Sequence, residues 1–152
     1  MRRQSGVALV EFAISLALLI SIVFGITEFG RAIFQYNTLA KSARDAVRFL
    51  AVKDASDATA IAQAKCMAVH GNPSCSGNTL VGGLTTSMVS VCHAADPKCA
   101  TTHQAQGASP PINLVSVTIG GGKDPFTFTS VMSFVVPSFD FGSITATMRM
   151  VP

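Results

Sequence analysis

The chain has 152 residues, of which 49% are apolar and only 12% charged, so there is room for one modest core and no second domain of useful size. Eleven basic side chains face eight acidic ones, a formal charge of +3, and without Arg2 and Arg3 nine face eight and the charge falls to +1. The basic excess is therefore largely a property of the first six residues and argues against nucleic acid as a partner.

Those residues, Met1-Arg2-Arg3-Gln4-Ser5-Gly6, are a short, polar, dibasic leader ending in a small residue. Residues 7–27 follow as an apolar run in which Glu11 is the sole ionisable side chain. At 1.5 Å per residue a helix of this length measures about 31 Å, the thickness of a bilayer core. A charged side chain costs about 2.5 to 3.5 kcal/mol at a bilayer centre and less near an interface, so Glu11, one turn inside, calls for a partner. The plain alternative is a carboxylate that snorkels to the headgroups.

The leader resembles the class III signal of prepilins, cut by a membrane-embedded prepilin peptidase before the apolar segment. The expected cut lies between Gly6 and Val7. An ordinary secretory signal is cut after its apolar region at a small-x-small site, which Ser21-Ile22-Val23-Phe24-Gly25 fits poorly, so the helix is expected to stay. Cleavage would make Val7 the first mature residue and Glu11 the fifth. The new Val7 amine and a neighbouring subunit's Glu11 can then pair, worth about 4 kcal/mol at about 4 Å before desolvation. Pairing within one chain is also open, since one helical turn separates the two groups, and the prepilin resemblance favours the intermolecular pair.

Residues 28–53 continue the helix in amphipathic form. Phe29, Ile33, Tyr36, Ala40, Ala43, Val47 and Leu50 recur at steps of four and three, with Glu28, Arg31, Gln35, Lys41, Arg44, Asp45 and Arg48 between them. No proline interrupts residues 7–53. Phe24-Gly25-Ile26-Thr27-Glu28-Phe29-Gly30-Arg31, then Ala43-Arg44-Asp45-Ala46-Val47-Arg48, with Val10-Glu11-Phe12-Ala13 upstream, closely resembles the TadE-like proteins of tight-adherence pilus systems. The resemblance covers about residues 5–50. It implies a structural minor pilin or pseudopilin of a type IV pilus system, without catalysis or cofactor. It also implies its partners: the prepilin peptidase, other pilins and pseudopilins, an inner-membrane assembly platform with its ATPase, an outer-membrane secretin, and membrane lipid. Family members commonly carry proline inside the apolar run where this chain has Ala17, and some relatives keep their leader.

A count of positive charges alone would place the C-terminal side in the cytoplasm, because Arg31, Lys41, Arg44, Arg48 and Lys53 follow the run. These cations are interspersed with Glu28, Asp45 and Asp54, and large domains translocate despite their charges. Cysteine usage and the resemblance both point outward. The expected location is the bacterial inner membrane, single-pass, with the C-terminal domain in the periplasm and the surface pilus as a further destination.

Cys66, Cys75, Cys92 and Cys99 lie within 34 residues and fit an oxidising compartment. Four cysteines permit three connectivities. Short loops cost less to close and favour Cys66 with Cys75 and Cys92 with Cys99, whereas longer loops gain more stability once closed. Cys66 and His70, like Cys99 and His103, are spaced as two ligands on one helical face, but both histidines sit in breaking or loop-like composition. A zinc site is not expected. All three histidines, His93 included, read as solvated loop or helix-end residues.

Residues 55–69 read as a second helix, capped by Ser56 or Asp57 and ended by Gly71 and Pro73, with Ile61, Ala64 and Ala68 facing inward. Residues 84–92 alternate as a strand, and residues 96–111 read as a long, polar, mobile loop. Residues 112–119 form a strand with Val115, Val117 and Ile119 on one face. Gly120-Gly121-Gly122-Lys123 is then a hairpin connection into β-like Phe126, Phe128, Met132, Phe134 and Val136. It lacks the spacing and the Ser or Thr of a phosphate loop. In a final strand over residues 143–151, Ile144, Ala146, Met148 and Met150 alternate with Thr145, Thr147 and Arg149.

The expected architecture is pilin-like α+β. Residues 1–6 are the leader, 7–27 the membrane half of a long helix, 28–53 its amphipathic half, and 54–152 a small extracytoplasmic domain with a short helix, an antiparallel sheet and disulfides. The alternative function is a single-pass envelope-anchored binding protein that enters no filament. An enzyme is disfavoured, because no Ser-His-Asp set or nucleophile elbow occurs.

Overall fold

A computed structural model describes residues 5–105, 112–121 and 124–151. Residues 1–4 of the leader, residues 106–111 of the expected loop, and Gly122 and Lys123 of the expected hairpin lie outside the described residues. Helix α1 (Ser5–Ala51) is continuous over 47 residues, as the absence of proline allows. Two compact units share it, one of Met1–Phe34 with Phe128–Phe139, the other of Gln35–Thr127 with Asp140–Pro152.

In the second unit α1 contributes Leu39, Ala43, Ala46, Val47 and Leu50 to the core. Ala43, Val47 and Leu50 of the expected stripe are therefore buried. Its upper members are not: Phe29 is 66% exposed, Ile33 46% and Tyr36 47%. The buried row there runs through Glu28, Ala32 and Leu39, one position and hence about 100° round the helix from the apolar row. Tyr36 meets Phe141 edge-on, 5.8 Å between ring centroids.

Helix α2 (Ala58–His70) begins three residues later than its composition suggests, because the Asp57 carboxylate accepts the Thr59 N–H at 2.9 Å and fixes the start there. Gly71, at φ 75°, ends it by donating its N–H to the Met67 carbonyl at 3.0 Å. Ala60, Ala64, Ala68 and Val69 are buried, while Ile61, expected inside, is half-buried.

The expected strand over 84–92 is shorter and later. Leu84 is buried, Thr86–Met88 makes a 3₁₀ turn, and β1 covers Val89–His93. The described part of the expected 96–111 loop holds helix α3 (Ala100–His103) and strand β2 (Gln104–Ala105). Strand β3 (Ile112–Ile119) lies at the centre. It pairs antiparallel with β1, Val89 opposite Ile119, and with β6 (Ile144–Arg149), Ile144 opposite Ile119. Val115, Val117 and Ile119 are buried as their alternation implies, and β6 follows the expected alternation from buried Ile144 onward.

Among the described residues β3 makes no hairpin pair with the next strand, because both of its edges are already occupied, by β1 and β6. Instead Gly120 turns the chain at φ 70°, where a Cβ would stand 3.0 Å from the Phe126 nitrogen. Of the β-like stretch after it, β4 (Thr127–Phe128) pairs with β5 (Phe139–Asp140), and residues 129–138 form a loop. After β6 the backbone is tied down twice: Met150 N–H donates to Asn113 O, and Val151 N–H donates to Ala51 O at 2.8 Å, across 100 residues of chain.

Candidate processing and assembly segment

The first turns of α1 hold the residues singled out in the sequence. Gly6 has open space where a Cβ would be, and Val7 is 71% exposed. Gly6, Val7, Val10, Glu11 and Ile14 line one shallow, mainly apolar groove along the helix. Val7 and Glu11 stand one turn apart on this face, which the i, i+4 spacing dictates. Among the described residues Glu11 makes no hydrogen bond or ion pair, and its side chain is exposed with its apolar neighbours. A cut after Gly6 would create an amine at the positive end of the helix dipole, where a carboxylate on the same face is a favourable partner. The apolar stretch that follows is of membrane-spanning type by length and hydropathy, with none of its most apolar window buried.

A second charged site lies just past that stretch. Glu28 is only 4% exposed. Arg31 donates to both of its carboxylate oxygens, at 2.7 and 2.9 Å, and the Val131 N–H donates to the same carboxylate at 3.2 Å. Burial pushes the Glu28 carboxyl up, but hydrogen bonds from Arg31, the Val131 N–H and Ser130, with the Arg31 charge, outweigh it and hold the group below the usual carboxylate range. The Arg31 guanidinium lies over the Phe128 ring, 5.5 Å from its centroid. Sequence reasoning placed Glu28 between the positions of the apolar stripe. Its spacing from Arg31 was visible, but its main-chain partner is 103 residues away.

The cysteines form two disulfides, Cys66–Cys75 and Cys92–Cys99, the pairs with the shorter loops. His70 ends α2, with Nδ1 3.1 Å from the Gly77 carbonyl oxygen. His93 is not in a loop or at a helix end; it is half-buried and closes β1. His103 ends α3 but is half-buried rather than solvated, its Nε2 2.7 Å from Ser116 Oγ. Cys92, Cys99 and His103 present their ligand-type atoms within 4.8 Å of one another. Both sulfurs are consumed in the disulfide, so the cluster offers no thiolate to a metal.

Residues 6–48 match the family model described as TadE-like protein, while no curated protein and no solved structure matches the chain. The matched segment contains the exposed Gly6 to Glu11 face, the apolar stretch, the Glu28–Arg31 pair and the start of the core-forming half of α1. Over residues 6–48 the chain is similar to the TadE-like family.

Proposed function

We propose that the chain is a minor pilin or pseudopilin of a tight-adherence type IV pilus system, with a structural role in pilus assembly, surface adherence and biofilm formation. Residues 7–27 anchor it in the inner membrane and residues 54–152 lie in the periplasm. Prepilin peptidase cuts between Gly6 and Val7, and Glu11 sets the register of the subunit against other pilins delivered by the platform and its ATPase. The observation that carries this reading is the TadE-like match over residues 6–48, which begins at the expected cut and includes an exposed acid one turn beyond it. The same TadE-like match supports a role in assembly rather than catalysis.

Mass spectrometry of the chain from membrane extracts and from sheared surface material tests it. A mature N-terminus at Val7, with the chain present in the sheared fraction, is the expected result. An intact leader confined to the membrane fraction would favour an envelope-anchored binding protein instead.

A further inference from the structure

Between Asp124 and Asp140 the chain carries no ionisable side chain. Within this stretch Val131 is 74% and Phe134 79% exposed, the two highest values among the exposed large apolar side chains of the described residues. The height of the loop on α1 is fixed by three contacts. Val135 Cγ1 lies 3.6 Å from where a Cβ on Gly25 would stand, Val131 N–H is held by Glu28, and Arg31 covers Phe128. Gly25 is two residues, about 3 Å of helix rise, before the end of the 7–27 apolar run. The loop is therefore level with the end of the span.

Backbone hydrogen bonding gives an independent indication. An irregular segment near lipid must satisfy its own polar groups, because little water is available. Ser130 N–H donates to Ser138 Oγ at 3.1 Å, Met132 N–H to Ser130 Oγ at 3.2 Å, and the Val135 and Val136 N–H groups to the Met132 carbonyl at 2.9 and 3.0 Å. With Val131 on Glu28, these donors are met without solvent. Phe29, next to Glu28 on α1, is likewise 66% exposed.

We propose that residues 129–138 form an interfacial membrane anchor, with Val131 and Phe134 inserted at the headgroup and acyl-chain boundary of the leaflet where the span ends. Interfacial elements of this kind sink about 5–10 Å below the surface. The anchor fixes the height and rotation of α1 in the bilayer before any subunit contact is made. It rests on residues 7–27 being the span.

The chain contains no tryptophan, so Phe134→Trp and, separately, Val131→Trp each give a single reporter at a position already exposed. The full chain is reconstituted in phosphatidylcholine and phosphatidylglycerol vesicles, and carbonate-resistant association of the unsubstituted chain reports the span independently. With the span in place, the expected result is blue-shifted emission, quenched by lipids brominated near the headgroup more than by lipids brominated at the chain end, and shielded from acrylamide. Emission typical of water with free access to acrylamide overturns the proposal. Emission shielded from both acrylamide and brominated lipid also overturns it, and assigns the surface to a second copy of the chain.

Discussion

Arg31 grips Glu28 through both carboxylate oxygens, and Glu28 in turn holds the main chain at Val131, so one helical ion pair secures a loop distant in sequence. Because the Glu28 carboxyl is held below its ordinary value, its contribution is complete above the usual carboxylate range and is lost as pH falls below it. The protection of the Val131 amide against exchange, taken relative to the intrinsic rate at each pH, should therefore fall on acidification. Glu28→Gln should show low protection at neutral pH and no such acid response, whereas high, pH-independent protection in both proteins would contradict the linkage.

The buried row of α1 makes a sharper distinction than its apolar row. Leu39 is fully buried, and Leu39→Ala should cost about 2–5 kcal/mol. Phe29→Ala, at a position 66% exposed, should change stability by about 0.5 kcal/mol or less. Urea titration of the two variants in detergent compares them directly, and equal losses would mean that Phe29 is covered.

Each disulfide closes a short loop, nine residues for Cys66–Cys75 and seven for Cys92–Cys99. Loop-closure entropy assigns about 2.5 kcal/mol to each. Replacing both cysteines of either pair with alanine should lower stability by that amount. Non-reducing peptide mapping should recover the two short-range pairs, and a Cys66–Cys99 or Cys75–Cys92 peptide would overturn this pairing.

Glu11→Ala should leave membrane insertion and cleavage intact and abolish incorporation, because Glu11 makes no contact within the described chain that its loss would disrupt. Immunoblots of membrane and sheared fractions measure both steps. Normal piliation by this variant would remove Glu11 from the assembly role.

Sequence pattern was most informative where one period governs burial. Val115, Val117 and Ile119 in β3, and Ile144 in β6, lie on the face that their alternation indicates. Pattern failed where an apolar and a polar position exchange roles. Phe29 looks like core and Glu28 like surface, yet a backbone donor at Val131 rewards burial of the acid and leaves the ring outside. Phe128 to Val136 looks like strand, but serine side chains and Glu28 take up N–H groups that a ladder would otherwise use. The hairpin after β3 was excluded by pairing with β1 and β6, and register between distant strands is not encoded in any local window. At the first turns of α1 the reverse holds: Val7 and Glu11 are placed one turn apart by helix periodicity alone, so their shared face follows from spacing.

The hydrogen bond from Val151 to Ala51 also orders events in time. Joining residues 100 apart costs about 2 kcal/mol more loop-closure entropy than joining Cys66 to Cys75, nine apart. The short covalent loops can therefore close while the chain is still open, whereas the pairing of β6 with β3 and the tie to Ala51 carry the larger closure cost. Closing the short loops in advance shortens the search left to the last strand, so chains starved of oxidant should be slower to place β6.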